Sequence, residues 1–215
     1  MFQTQLKTLE KDSPLEPSIR NVWVYNFEEE LDKISALLDK YPFVAMDTEF
    51  PGTVIQSYDS SWPREHREYC RIKANVDILK IIQLGITLSD ANGQMPQPIS
   101  TWQFNFDFDI DNEKFNDDSI DLLLKHGIDF KQLKQHGISP FYFAEKLMTS
   151  GLVLNEKLTW ICFHGCSDFG YFFRILTNEP LPSSRDQFNK VLKLFFPNLL
   201  DIKSFLHRYP LDGGL

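Results

Sequence analysis

Residues 43–52 read FVAMDTEFPG, an apolar run that closes on two carboxylates one residue apart and breaks at Pro51-Gly52. Side chains at i and i+2 of a strand share a face, so a strand here projects Asp47 and Glu49 to the same side, ~6.6 Å apart along it. Two ionised carboxylates so placed repel each other unless they share a proton or bind a cation. The fold and the chemistry both turn on how the rest of the chain answers that repulsion.

Upstream, Phe27, Leu31, Ile34, Leu38 and Tyr41 recur at helical spacing. Asn26 is the expected cap, Glu29 completes a capping box and Pro42 stops the helix. Downstream, residues 53–75 are polar and read as irregular, although REHREYCRIK (64–73) has helical spacing of its arginines. ILKIIQLGITL (78–88) reads as a mostly buried strand. TWQFNFDF (101–108) alternates strictly and puts Trp102, Phe104, Phe106 and Phe108 on one core-facing side. Three strands without a long intervening helix predict antiparallel pairing.

The second half changes period. DDSIDLLLKHG (117–127), DFKQLKQHG (129–137) and SPFYFAEKLMTSG (139–151) read as helices ending in Gly, the last with Ser139 as cap and Pro140 at its first position. LTWICFH (158–164) is a fourth strand, after which Asp168 opens a helix carrying Phe169, Phe172, Phe173 and Leu176. A further helix runs from Ser184, with Gln187 completing a capping box, to Pro197, and LLDIK (199–203) is a fifth strand. The expected organisation is a flexible lead-in over residues 1–20 and one α/β domain over 21–215, a mixed sheet flanked by helices. Ligands in such sheets gather at the carboxyl ends of parallel strands, which makes Asp168 the natural third carboxylate.

With 42% hydrophobic and 24% charged residues in 215, the chain has the composition of a soluble globular protein with a substantial core. No apolar run approaches the ~18 residues of a membrane helix, and the first residues carry no secretory h-region. Three cysteines are an odd number, so no disulfide framework is expected, and a reducing compartment is. A formal charge of −8 excludes broad electrostatic wrapping of nucleic acid. It does not exclude a nuclease, because bound divalent cations invert the local sign.

Two acids on one strand and a third at a strand-to-helix junction suit a phosphoryl-transfer site with two metal ions. Hard oxygen ligands favour Mg²⁺ or Mn²⁺. The dipole at a helix N-terminus is expected to hold Asp168 ionised. Asp201 is either an extra ligand or, the preferred reading, a capping acid beside the site. CFHGCSD offers Cys162, His164 and Cys166, but these share a face only if the strand continues through Gly165, and no second cysteine pair completes a zinc site. His164 reads as a hydrogen-bonded residue near the site floor. Arg64, Arg67 and Arg71 form either a solvated face paired with Glu65 and Glu68 or a phosphate track for RNA.

FVAMDTEFPG, KANVDILKIIQLGITLSD, TWQFNF, DSIDLLLKHGIDF, YFAEKLMTSGLVLN, TWICFHGCSDFGYFFRIL and FFPNLLDIK, taken in order, resemble the Caf/Pop deadenylase family of the CCR–NOT complex. The resemblance runs from about Ile19 onward. It implies an RNase H-like fold of the DEDD exonuclease type and 3′-to-5′ removal of mRNA poly(A) tails with two divalent metal ions. It also implies a CCR–NOT scaffold, a CCR-type second nuclease and Tob/BTG-type regulators as partners, no membrane, and a cytoplasmic and nuclear location. By the same resemblance Asp47 bridges both metals, Glu49 holds one, and Asp168 serves the other partly through water. The family's third motif, a His followed five residues later by an Asp, is expected after GGL (213–215), beyond the last residue. On that expectation the domain lacks its C-terminal segment, the general-base His and the fourth metal-binding acid, and the rival reading is a catalytically crippled adaptor of the same complex. Cys166 and Ser167 stand where the family usually has small residues and Tyr.

Overall fold

The computed structural model describes residues 18–56 and 61–206. Its strands are β1 (Ile19–Val22), β2 (Phe43–Glu49), β3 (Gln83–Ser89), β4 (Thr101–Asn105), β5 (Thr159–Cys162) and β6 (Asn198–Asp201). The helices are α1 (Phe27–Leu37), α2 (Arg64–Val76), α3 (Asp117–Lys125), α4 (Phe130–His136), α5 (Pro140–Leu147), α6 (Cys166–Thr177), α7 (Arg185–Phe195) and the single turn α8 (Lys203–Leu206). The strands form one mixed sheet in the order β1-β4-β3-β2-β5-β6. The expected antiparallel trio is present: β2 pairs β3 from Phe43↔Ser89 to Glu49↔Gln83, and β3 pairs β4. β5 then joins β2 in parallel and β6 joins β5 in parallel, the RNase H-like arrangement of an α/β sheet with flanking helices.

Alternation places the core. Val44, Met46 and Thr48 of β2 are buried while Ala45, Asp47 and Glu49 are exposed. The same buried side of the sheet carries Leu84, Ile86, Leu88, Trp102, Phe104 and Trp160, packed with side chains from α1, α2, α5, α6 and α7 in one cluster. Phe143 of α5 sits at its aromatic centre. Its ring stacks on Phe27 at 5.4 Å and meets Phe104 and Phe106 edge-on, each at 5.1 Å. Such pairs add to the area they bury. A second cluster gathers Ile82, Phe108, Ile120, Leu123, Phe130 and Leu133 under α3 and α4. The stripe of 102–108 is therefore core, as expected, but divided: the β4 ladder ends at Asn105, and Phe106 bridges to Ile138.

Several boundaries differ from the sequence reading. Most of the expected lead-in lies outside the described residues, but Ile19 and Arg20 belong to β1, which pairs β4 in parallel. Residues 64–76 form a regular helix, not an irregular segment, burying Tyr69, Ile72 and Val76. The third strand starts at Gln83, because Ile78 and Leu79 donate backbone hydrogen bonds to Asn75 and extend the turn that leaves α2. The fourth ends at Cys162, because His164 has φ +58° and leaves the extended conformation. Asn26 does not cap α1; its carboxamide ties the preceding turn, accepting from Trp23 N at 2.7 Å and donating to Asn21 O at 3.1 Å. Ser139 makes no side-chain cap. Ser184 accepts from Gln187 N at 3.3 Å, but the Gln187 side chain takes a bond from Ser183, so only half the box forms.

Phe143→Ala should destabilise the fold by ~3–5 kcal/mol, the range for emptying a buried aromatic site. Denaturant unfolding followed by far-UV circular dichroism checks it, and a loss below about 1 kcal/mol would mean the core closes over the gap.

Candidate active site

Asp47 and Glu49 leave the exposed face of β2 near its carboxyl end, and the chain turns at once. Gly52 makes that turn with φ +81°, and a Cβ there would meet Ser119 Oγ at 2.1 Å, so the position admits only glycine. The close approach also lets Asn116 N bond Pro51 O at 2.9 Å, seating the start of α3 against the end of β2. Asn75, buried in α2, pins the following segment: its Oδ1 accepts from Val54 N at 2.8 Å and Ile55 N at 2.9 Å, and its Nδ2 donates to Ile55 O and Arg71 O, both at 2.8 Å.

Asp168 does not open its helix. Gly165 is the N-cap and Cys166 the first helical residue, so Asp168 lies inside the first turn of α6, 9% exposed. Its Oδ1 accepts a hydrogen bond from Thr48 Oγ1 at 2.5 Å. Thr48 stands between Asp47 and Glu49 but faces the buried side. The strand that displays two carboxylates outward thus fastens the third from within.

The three acids feel one another. Partial burial raises the Glu49 carboxyl above its usual range, and the charges of Asp47 and Asp168 push it further, against a smaller opposing effect of His126. Burial likewise raises Asp168; the Thr48 hydrogen bond opposes this and the Asp47 charge adds to it. The helix dipole was expected to hold Asp168 ionised, but desolvation inside the first turn outweighs it. Among the described residues no three His, Cys, Asp or Glu side chains converge as a ready-made metal cluster. The donor chemistry nevertheless fits a divalent cation: three carboxylates with oxygen-only donors and mutual repulsion that a hard cation relieves.

The neighbouring residues sort clearly. Asp201 Oδ1 accepts from His164 N at 2.9 Å and Lys203 N at 3.0 Å, so it acts as a hydrogen-bonded cap for the β5–α6 loop. Burial pushes the Cys162 thiol up to about 11 and raises Cys166 as well, which keeps both protonated and poor as metal ligands. Arg64, Arg67 and Arg71 lie along α2 and form no ion pairs with Glu65 or Glu68; Glu68 instead lies 3.9 Å from His164. Arg71 borders a narrow cleft of about 40 Å³ with Phe50, Gly52, Ser167 and Tyr171, between the β2 turn and the start of α6. The sequence reading overlooked Thr48 and Asn75. Alternation would have marked Thr48 as inward-facing, whereas nothing local marks Asn75.

Carboxyls with raised folded-state pKa values stabilise the fold fully below their unfolded-state values, and that stability is lost as pH rises through the folded-state values. For Glu49 and Asp168 the window opens near the ordinary values of 4.5 and 3.8 and extends upward. Metal-free Glu49→Gln and Asp168→Asn proteins should therefore gain thermal stability over the parent as pH rises from 4 towards 7. They should also lose the rise in midpoint that Mn²⁺ gives the parent. Thermal scans in chelator and in Mn²⁺ across that range test both, and parallel pH profiles for parent and variants would refute the assignment.

Comparison with known proteins places this arrangement. The family described as CAF1 family ribonuclease matches residues 22–150. Poly(A) ribonuclease pop2 of Schizosaccharomyces pombe is 46% identical over 185 residues, covering 86% of this chain and 55% of the relative. The chain thus spans about half the length of that protein. Probable CCR4-associated factor 1 homolog 10 of Arabidopsis thaliana is 42% identical over 205 residues, covering 93% of this chain and 73% of its own. Among solved structures, S. pombe Pop2p in its Mg²⁺- and Mn²⁺-bound form superposes with a TM-score of 0.85 at 44% identity, covering 89% of this chain and 76% of that one. CAF1 co-crystallised with the yeast NOT1 MIF4G domain gives 0.76 at 35% identity, covering 89% and 73%. With sequence, sheet order and overall superposition in agreement, the chain belongs to the CAF1 family of ribonucleases.

Proposed function

We propose that this chain is the nuclease core of a deadenylase, a 3′-to-5′ exoribonuclease that shortens poly(A) tails as a subunit of a CCR–NOT-type complex in the cytoplasm and nucleus. The carrying observation is Asp47 and Glu49 side by side on the exposed face of β2, with Asp168 tied to the intervening Thr48. A relative named as a poly(A) ribonuclease, a solved relative bound to Mg²⁺ and Mn²⁺, and another co-crystallised with NOT1 support the reading. Asp47, Glu49 and Asp168 would hold two divalent cations, Mg²⁺ or Mn²⁺. Such a pair, when bound, supplies a clamp on the attacking and leaving oxygens of an in-line displacement.

The chain's own residues do the positioning. Thr48 fixes the Asp168 carboxylate, so a cation meets a preformed donor and not a mobile one. Gly52, Asn75 and the Asn116 turn hold the segment after Glu49 rigidly against α2 and α3. Arg71 at the cleft, with Arg67 and Arg64 further along α2, would pair with phosphates of the incoming strand and set its register.

Asp47→Ala should abolish measurable shortening of 5′-labelled oligo(A) in Mg²⁺ or Mn²⁺ while leaving the far-UV spectrum intact. Undiminished shortening would remove Asp47 from the site, and shortening by neither protein despite RNA binding would favour the adaptor reading. Replacing Arg64, Arg67 and Arg71 with Gln should weaken RNA binding and flatten its salt dependence by a slope of ~0.7 per lost contact. Binding that is unchanged across a salt titration would return those arginines to an ordinary solvated face.

A further inference from the structure

Cross-strand register sets two rows of residues on the exposed face of the sheet. One runs Asp47, Gly85, Gln103, Asn21; the other runs Glu49, Gln83, Asn105. Gly85 sits inside a strand, where glycine weakens the sheet and often marks close approach of a ligand. Packing does not demand it: an added Cβ would meet only Asp47 O, at 3.9 Å. The bare backbone between the Asp47 carboxylate and the Gln103 amide is two strand spacings wide, ~9.6 Å, broad enough for a flat heterocycle.

Beside this floor lies a cavity of about 350 Å³ bordered by Glu49, Gln83, Gln103, Leu122, His126 and Ile128. Its polar groups are biased towards accepting. Gln83 Nε2 donates to Asn105 Oδ1 at 2.6 Å and Gln103 Nε2 to Asn21 Oδ1 at 3.1 Å, while neither Oε1 has a partner among the described residues. His126 Nδ1 lies 2.8 Å from the Leu122 carbonyl, which can only accept, so Nδ1 carries the hydrogen and Nε2 of the neutral ring keeps its lone pair. Leu122 and Ile128 supply apolar surface for a ring face.

We propose that this cavity is a base-binding subsite selective for an exocyclic amino group, and for adenine above all, an inference that rests on the ribonuclease reading. Adenine and cytosine present an amino donor where guanine and uracil present a carbonyl acceptor. A ring of acceptors bonds the first pair and repels the second. The larger adenine ring also covers more of Leu122 and Ile128 than cytosine does.

The test is fluorescence anisotropy with labelled oligo(A), oligo(C) and oligo(U) in Ca²⁺, followed by shortening rates on the same oligomers in Mn²⁺. The parent protein should prefer A to U, with C between them. Gln83→Met with Gln103→Met, which keeps the side-chain length and removes the acceptors, should cut the A-over-U ratio about tenfold, the scale of a lost base contact. Gly85→Ala is the independent variant: the open space above the strand predicts an unlowered thermal midpoint together with weaker oligo(A) binding. A parent that binds or shortens RNA without base preference, or variants that keep its full A-over-U ratio, would overturn the subsite alone. A parent that neither binds nor shortens any oligomer would overturn the ribonuclease reading and the subsite with it.

Discussion

Strand β2 cannot slip by one residue. Its pleat keeps Val44, Met46 and Thr48 in the core and Asp47 and Glu49 outside, and a single-residue shift would exchange the two sets. Burying two carboxylates without partners costs several kcal/mol per ion, far more than any ladder hydrogen bond regained. The seven-residue antiparallel ladder to β3 on one side and the parallel ladder to β5 on the other lock that register. Everything at the candidate site follows from it. Gly85 lies opposite Asp47, Gln83 lies opposite Glu49, and Thr48 is aimed at Asp168.

The site is a place where the fold works against itself. Glu49 and Asp168 are raised by burial and by neighbouring charge, so the metal-free fold gains nothing from them near neutrality. Such strain persists only where the surroundings over-determine the geometry. Here the surroundings are the aromatic cluster around Phe143, the four hydrogen bonds of Asn75, and the Gly52 turn that lets α3 close on β2. None of these residues touches the three carboxylates' chemistry, yet they fix where the carboxylates stand.

An acidic chain proposed to act on a polyanion needs local exceptions to its net charge of −8. The arginines of α2 are one, and they are free of the intrahelical ion pairs that their spacing from Glu65 and Glu68 suggested. Cations gathered by the carboxylates would be the other, since a divalent ion is the largest charge in its neighbourhood. Acceptors on the sheet face add no net charge, so they can sort bases without adding to the repulsion of phosphates.

What the sequence determined by itself was whatever repeats over a few residues. The alternation of 43–49 placed Asp47 and Glu49 on one face, the helical spacing of 27–41 located α1, and the alternating aromatics of 102–108 identified a core-facing strand. Those signals are local, because pleat and helical pitch are properties of neighbouring residues. Family resemblance carried the reading across the gaps, including the choice of Asp168 over other acids. Tertiary structure alone decided the rest. β1 is four residues that acquire meaning only as a partner for β4, and the helical face of α2 was obscured by its polar residues until α6 packed against it. The protonation balance of Asp168 depends on burial produced by elements far apart in the chain, including a Thr48 hydroxyl 120 residues away. Desolvation depends on every element packed around a group, and no window of neighbouring residues contains it.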